Sequence, residues 1–366
     1  MVQPSRTIAV PVVAVCVALV LADATSRAQG TAARGTGNRA APQRVWPDPP
    51  ADARIRFLGL LVPASAARRS VFRRVWDVVT GGRDTPVMAQ PYGVAMGPAG
   101  RLYVADSAAH SVHVFDVRTG GYSKLDVESE SLIGVAALGG RLFVTDSVAG
   151  RVMCLNGAGR KQWAIGSEAG LQRPTGIVAA DDRLHVVDTL AHRIVTVSPE
   201  GRVMGSFGSR GGEPGQFNYP TNIARDAAGR LYVTDSMNFR MQILTAQGRS
   251  ISAFGHLGDG SGDFNRPKGV AVDRDGHIYV VEGLHDVVQI FDQDGRFLLG
   301  FGEPGHGDGE FWLATGIAIA NDRIYVSDSS NRRVQVFEYL REERRGKRPD
   351  ASWRRCCSSL RRSRGG

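Results

Sequence analysis

Apolar and polar positions alternate in short bursts along most of this chain, and the bursts recur. RLYVADS opens at Arg101, RLFVTDS at Arg141, RLHVVDT at Arg183, RLYVTDS at Arg230, HIYVVEG at His277 and RIYVSDS at Arg323. The carboxylates in these copies, Asp106, Asp146, Asp188, Asp235, Glu282 and Asp328, are spaced by 40, 42, 47, 47 and 46 residues. A short apolar segment precedes each copy: YGVAM (92–96), IGVAA (133–137), TGIVA (175–179), TNIAR (221–225), KGVAV (268–272) and TGIAI (315–319). An alternating segment such as VHVF (112–115) or MQIL (241–244) follows, and the unit ends in a Gly-rich exit such as QWAIG or SISAFG. Four short strands rich in Val, Ile, Tyr and Phe in each unit predict a propeller blade. Six such sheets set radially leave only short, protected edges. The expected fold class is therefore all-β, a six-bladed β-propeller.

One unit is incomplete. After VQVFEYL (334–340) the chain turns basic and polar, so the sixth copy lacks its last strand. RIRFLG (54–59) stands alone before the first copy with the same kind of ending. Pairing it with Val334–Phe337 closes the ring and satisfies an edge that would otherwise stay open. Between this strand and the first copy, SVFRRVWDVVTGG (70–82) places Val71, Phe72, Val75, Trp76 and Val79 at helical spacing, with Ser70 as N-cap and two glycines as a stop. That predicts a helix near 70–80.

The ends differ from the body. Arg6 precedes the apolar run IAVPVVAVCVALVLA (8–22), and ADA (22–24) and SRA (26–28) supply small residues, so 1–28 reads as a secretory signal. A membrane anchor needs ~20 apolar residues and this run is shorter. The expected division is a signal at 1–28, a flexible leader at 29–50, the propeller at 51–340 and a basic disordered tail at 341–366. Export to the periplasm or the extracellular space follows. Of the net charge of +9, +7 lies in 341–366 and +4 in 1–45, which leaves −2 for the rest. The high pI thus belongs to the ends, and the near-neutral body offers no groove for nucleic acid. Any membrane contact falls to the basic tail, and a monomer is expected. Glycine, 45 of 366 residues, is above its usual share and points to many turns. Cys16 leaves with the signal, Cys356 and Cys357 are adjacent in the tail, and only Cys154 lies in the repeats, so no disulfide framework holds the fold.

The run Pro-x-Gly-apolar-Ala, then Gly-Arg-Leu-Tyr-Val-x-Asp, then Asn-x-Arg-apolar-Gln-apolar resembles NHL repeats. It is fullest in YPTNIARDAAGRLYVTDSMNFRMQIL (219–244) and RPKGVAVDRDGHIYVVEGLHDVVQIF (266–291), and it extends over about 88–340. The resemblance implies the propeller fold. It implies less about function, because NHL-like propellers include protein- and RNA-binding platforms, extracellular sensors and enzymes such as the peptidyl-amidating lyases.

The repeated carboxylates at 106, 146, 188, 235, 282 and 328 read as structural. An Asp at a strand end accepts hydrogen bonds from the following turn, and Arg151, Arg193, Arg240 and Arg333 stand five residues on in four copies. The variable positions beside them are the candidate ligand face. The turn after the second strand carries His110, Gly150, His192, Phe239, Asp286 and Arg332. The slot before the repeated Gly carries Tyr92, Ile133, Thr175, Thr221, Lys268 and Thr315, which propeller geometry sets around the channel mouth. Variation at fixed scaffold positions is how loops carry specificity. Exposed Phe239 and Tyr92 near Lys268 and Arg332 suit a protein or peptide partner.

The rival reading is a metal-dependent enzyme, lyase- or lactonase-like, at the channel mouth, with zinc or calcium as its ion. In the amidating lyases that the repeats resemble, one zinc ligand is the His of an Asp-x-x-x-His turn, and Asp106–His110 and Asp188–His192 match that spacing. The slots, where the remaining ligands would stand, hold no His, so no catalytic residue is assigned and no resident cofactor is expected. DRDG (273–276) and DQDG (292–295) read as hairpin turns, since Gly comes fourth where a calcium loop has it sixth. An exported binding or scaffold propeller is the reading preferred here. An extracytoplasmic sensor module is a further alternative.

Overall fold

The computed structural model describes residues 44–63, 88–180 and 182–341. The signal, the expected helix at 70–80 and nearly all of the basic tail lie outside them. Within them the period seen in the sequence becomes six sheets. Four-stranded blades run over 91–126, 132–165, 174–207, 220–254 and 267–301, here blades 1 to 5. Blade 6 is built from Ala314–Ala320, Arg323–Asp328 and Arg333–Tyr339, with Ile55–Leu61 as its fourth strand. The pairing of Phe57 with Phe337 and Leu61 with Val334 is the expected closure.

A fifth strand, Val45–Trp46, pairs with Ile55 and Arg56 beyond it. Trp46 packs its ring against Phe301 and Phe337, with centroids 5.9 and 5.7 Å away. Arg44 donates to the Asp308 carbonyl at 2.8 Å. The end of the segment expected as leader is therefore paired into blade 6.

Burial is greatest on the second strands and falls toward the outer edge of each blade. The second strands, such as Leu231–Asp235, are buried along their whole length because a neighbouring blade covers each face. Their residues are apolar without strict alternation for that reason. The outer strands, such as Val203–Phe207, are mostly exposed. Six apolar clusters fill the six spaces between blades, for example Val112 and Val114 against Leu142 and Val144. The cluster joining Val334 and Val336 to Leu102 and Val104 shows that the last space is filled like the others.

Around the axis the first strands nearly touch, which explains the repeated Gly. A Cβ on Gly134 would stand 2.3 Å from the Thr175 carbonyl oxygen, and one on Gly316 2.2 Å from that of Tyr92. No side chain fits there.

One buried group couples the fold to pH. His185, on the second strand of blade 3, is 1% exposed; its Nε2 has no partner, and Nδ1 meets Thr196 Oγ1 at 3.3 Å. Burial, with Arg183 and Arg225 nearby, pushes its pKa down to about 4 from an ordinary 6.5. The folded form keeps the ring neutral while the unfolded chain takes up a proton. The contribution of His185 to stability is therefore complete above pH 6.5 and falls as pH drops toward 4, by roughly 3 kcal/mol. Substitution His185→Phe is expected to flatten this acid limb in melts at pH 7.5 and 4.5. An unchanged slope would show that other groups set it.

Candidate functional site

Each first strand carries a break in register where it passes the channel. In blade 1, Pro91 pairs with Asp106 but Val94 with Val104, and the other five blades repeat this shift. Such a bulge re-aims a side chain. It turns the slot residues toward the axis, where Tyr92, Ile133, Thr175, Thr221, Lys268 and Thr315 line one cavity of about 190 Å³. Ser147, Arg173, Thr189 and Asn222 complete its wall.

The other half of the expected face behaves differently. His110 and Arg332 are exposed, but neither lines the cavity. His192 and Asp286 are buried and lean on the next blade: Nδ1 of His192 accepts the Tyr219 N–H at 3.1 Å, and Asp286 accepts that of Ala314 at 3.0 Å. Phe239 packs against the cluster of Met241 and Phe264, so it is no exposed contact. The turn residue sits at positive φ in every blade, as in His192 (53°) and Asp286 (52°). His192 and Asp286 latch one blade to the next, and the slots form the site.

The repeated carboxylates are the inner end of that latch. Asp106 accepts N–H groups from Ala89 and Gln90 before its own first strand and from Ala108 and Ala109 in the following turn. Asp328 holds Trp312 N–H at 2.8 Å, Arg333 Nε at 2.6 Å and Gln335 Nε2 at 3.0 Å. Blade 1 has Ser111 where other blades have the Arg, and His113, at the place of Gln335 in blade 6, meets Asp106 through Nε2 at 3.1 Å.

A belt of hydroxyls around the mouth was not anticipated from the sequence. Its signal is the Ser or Thr that follows the repeated Asp: Ser147, Thr189, Ser236 and Ser329. Thr189 donates to the Pro220 carbonyl at 2.7 Å and Ser236 to that of Pro267 at 2.9 Å, each across to the next blade. Slot residues join in. Thr175 Oγ1 lies 2.7 Å from Thr189 Oγ1, Thr221 Oγ1 2.7 Å from Ser236 Oγ, and Thr315 Oγ1 2.8 Å from Ser329 Oγ.

Blade 5 departs from the belt. Gly283 stands where the others have Ser or Thr, and a Cβ on it would lie 2.7 Å from Cε of Lys268. The lysine stem occupies the vacated space. Burial lowers the Lys268 pKa, helped by Arg266 and opposed by Asp286 and Glu282. Burial raises that of the half-buried Tyr92 in the same lining, against the pull of Arg173.

Among the described residues, this lining contains no imidazole and no carboxylate. Among the described residues, Asp273, Asp275 and His277 bring three donor atoms within 4.8 Å of one another. They lie on the hairpin between the first two strands of blade 5, where His277 is held by Asp273 at 2.9 Å and Asp275 by Arg341 at 2.7 Å. Neither His110 nor His192 belongs to that group.

The sequence matches two family models, an NHL repeat over 88–115 and a 6-bladed beta-propeller over 274–358. The protein is a six-bladed β-propeller with an NHL repeat at 88–115. No curated protein sequence matches it. Solved structures resemble this propeller in fold at low identity. Virginiamycin B lyase from Staphylococcus aureus is 14% identical with a TM-score of 0.54, over 70% of this chain and 97% of that one. A gluconolactonase from Xanthomonas campestris is 17% identical with a TM-score of 0.56, over 82% and 96%. A chain of a nidogen/laminin complex is 19% identical with a TM-score of 0.50, over 65% and 86%.

Proposed function

We propose that this NHL propeller is an exported binding module that holds a protein or peptide partner on the face carrying the channel mouth. A crescent of exposed apolar side chains carries the reading. Two residues after the repeated carboxylate, blades 2 to 5 present Val148, Leu190, Met237 and Leu284, all among the most exposed apolar residues, and Tyr219 and Trp312 stand on loops entering the same face. These turns begin where the second strands end, beside the slots. Outward apolar residues at one position of four successive blades, around a central cavity, are what a partner surface needs. Each such side chain, if fully covered, contributes about 1.5–3 kcal/mol.

The enzyme reading draws on the lyase and lactonase that share the fold, which at these identities is a likeness of architecture. Donor chemistry weighs against a metal at the mouth, since Lys268 and Arg173 would repel a cation and the lining offers no anionic ligand.

A random peptide display library panned on the full chain tests the proposal. Saturable binders are expected, weakened at least about tenfold by the double substitution Met237→Glu, Leu284→Glu with little change in melting. Binders indifferent to both substitutions, or none at all, would remove this face from consideration.

A further inference from the structure

The channel mouth holds two cations with no anion of their own. Among the described residues, Lys268 makes no hydrogen bond or ion pair, and Arg173 has a single side-chain contact, Nε to Ser147 Oγ at 3.2 Å. By contrast, Arg151, Arg193, Arg240 and Arg333 are each paired with the repeated Asp of their blade. The two acids that act on Lys268 are engaged elsewhere. Glu282 accepts the N–H groups of Asn265, Arg266, Leu284 and His285, and Asp286 that of Ala314.

The belt is also committed. Thr175 and Thr189 donate to the carbonyls of Thr221 and Pro220. Ser236 donates to Pro267, which leaves Thr221 as donor to Ser236. The charged donors remaining for a ligand are the Lys268 ammonium and the outer guanidinium N–H groups of Arg173, with the Tyr92 hydroxyl and the Asn222 amide in the same lining. Both cations line one cavity of about 190 Å³ walled by methyls and hydroxyls, Lys268 half-buried and Arg173 exposed. That set suits a small monoanion with two oxygens: the planar guanidinium matches a carboxylate in bidentate fashion and the ammonium adds a point charge. Blade 5 is adapted to this end, because only a residue without a side chain at 283 leaves room for the Lys268 stem.

We infer that the channel mouth is a carboxylate-binding pocket in which Lys268 and Arg173 hold an acidic group of a peptide. The peptide as carrier rests on the binding role proposed above; the pocket itself does not. The chain has four lysines, Lys124, Lys161, Lys268 and Lys347, so selective 13C-lysine labelling gives four side-chain signals.

Titration of the full protein with propionate, and with propionamide as the neutral control, reads the pocket without the apolar crescent. Propionate is expected to move the Lys268 signal saturably and propionamide to leave it in place. The response should be weakened at least about tenfold by Arg173→Leu and by Gly283→Ser, and kept in the Met237→Glu, Leu284→Glu double variant. Peptides of one sequence then separate the sources, with a free C-terminus, an amidated C-terminus, or an amidated C-terminus plus one internal Asp. Preference for either acid over the neutral amide supports the pocket and names the source. A Lys268 signal indifferent to propionate, equal binding of the amide, or tighter binding of inorganic phosphate than of propionate overturns it. If the propionate response stands while no peptide binds, the peptide reading alone fails.

Discussion

A chain lacking residues 51–60 is expected to lose most of its stability. The deletion removes Ile55 and Phe57, 0% and 7% exposed, together with the partly buried Leu58 and Leu60. At about 1.5–3 kcal/mol for a fully buried side chain and less for the other two, the apolar loss alone is roughly 4–9 kcal/mol. It also strips the ladder from Arg333–Tyr339 and leaves the buried carboxylate of Glu338 without Arg56. Domains of this kind hold only about 5–15 kcal/mol in reserve. Calorimetry should therefore show a melting temperature far below that of the full chain, and the bared strand edge should promote association. A melt within a few degrees of the full chain would mean that closure adds nothing and the other five interfaces suffice.

The second large effect is expected from Asp328→Ala. Its carboxylate is 0% exposed and holds the backbone of Trp312, the side chain of Asn331, Arg333 Nε and Gln335 Nε2. Removing it leaves a mostly buried guanidinium and several N–H groups without their acceptor. Breaking a buried ion pair from one side costs about 3–5 kcal/mol. Asp294, exposed on a hairpin beside Arg296, is the control, and its replacement by Ala should stay within about 0.5 kcal/mol. Denaturant unfolding of the two variants decides the point. Equal midpoints would show that the repeated Asp is dispensable to the blade.

The blade number and the closing strand were legible in the sequence because both depend on period and on apolar content, which survive large changes in detail. Phe57 opposite Phe337 is an example: the isolated RIRFLG resembled the exits of the other units, and it fills their place. The site was half legible. The slots converge as expected, since every first strand starts at the axis. The turn positions do not, because His192 and Asp286 are spent on hydrogen bonds to the next blade, and nothing in those letters announces it.

The bulge that aims Lys268 is likewise a feature of pairing between strands, invisible along one strand. Two signals were available in the repeat itself. The Ser or Thr after each carboxylate marks the belt, and its absence at Gly283 marks the one blade that makes room for a lysine. The next position, Val148, Leu190, Met237 and Leu284, reads as apolar in four copies where a solvated turn would be polar.

Closure by the first strand has a mechanical side. Ile55 pairs with Tyr339, and the N–H of Leu340 donates to the Arg54 carbonyl at 2.7 Å, so the chain enters and leaves the ring at the same end of the same blade. Tension between the two ends, once Val45–Trp46 has peeled away, loads the ladder one bond at a time from that point inward, as in opening a zip. A parallel clasp would have shared the same load among all its bonds at once. Tethering this protein by both ends pulls on its weakest direction, and tethering by one end leaves the clasp unloaded.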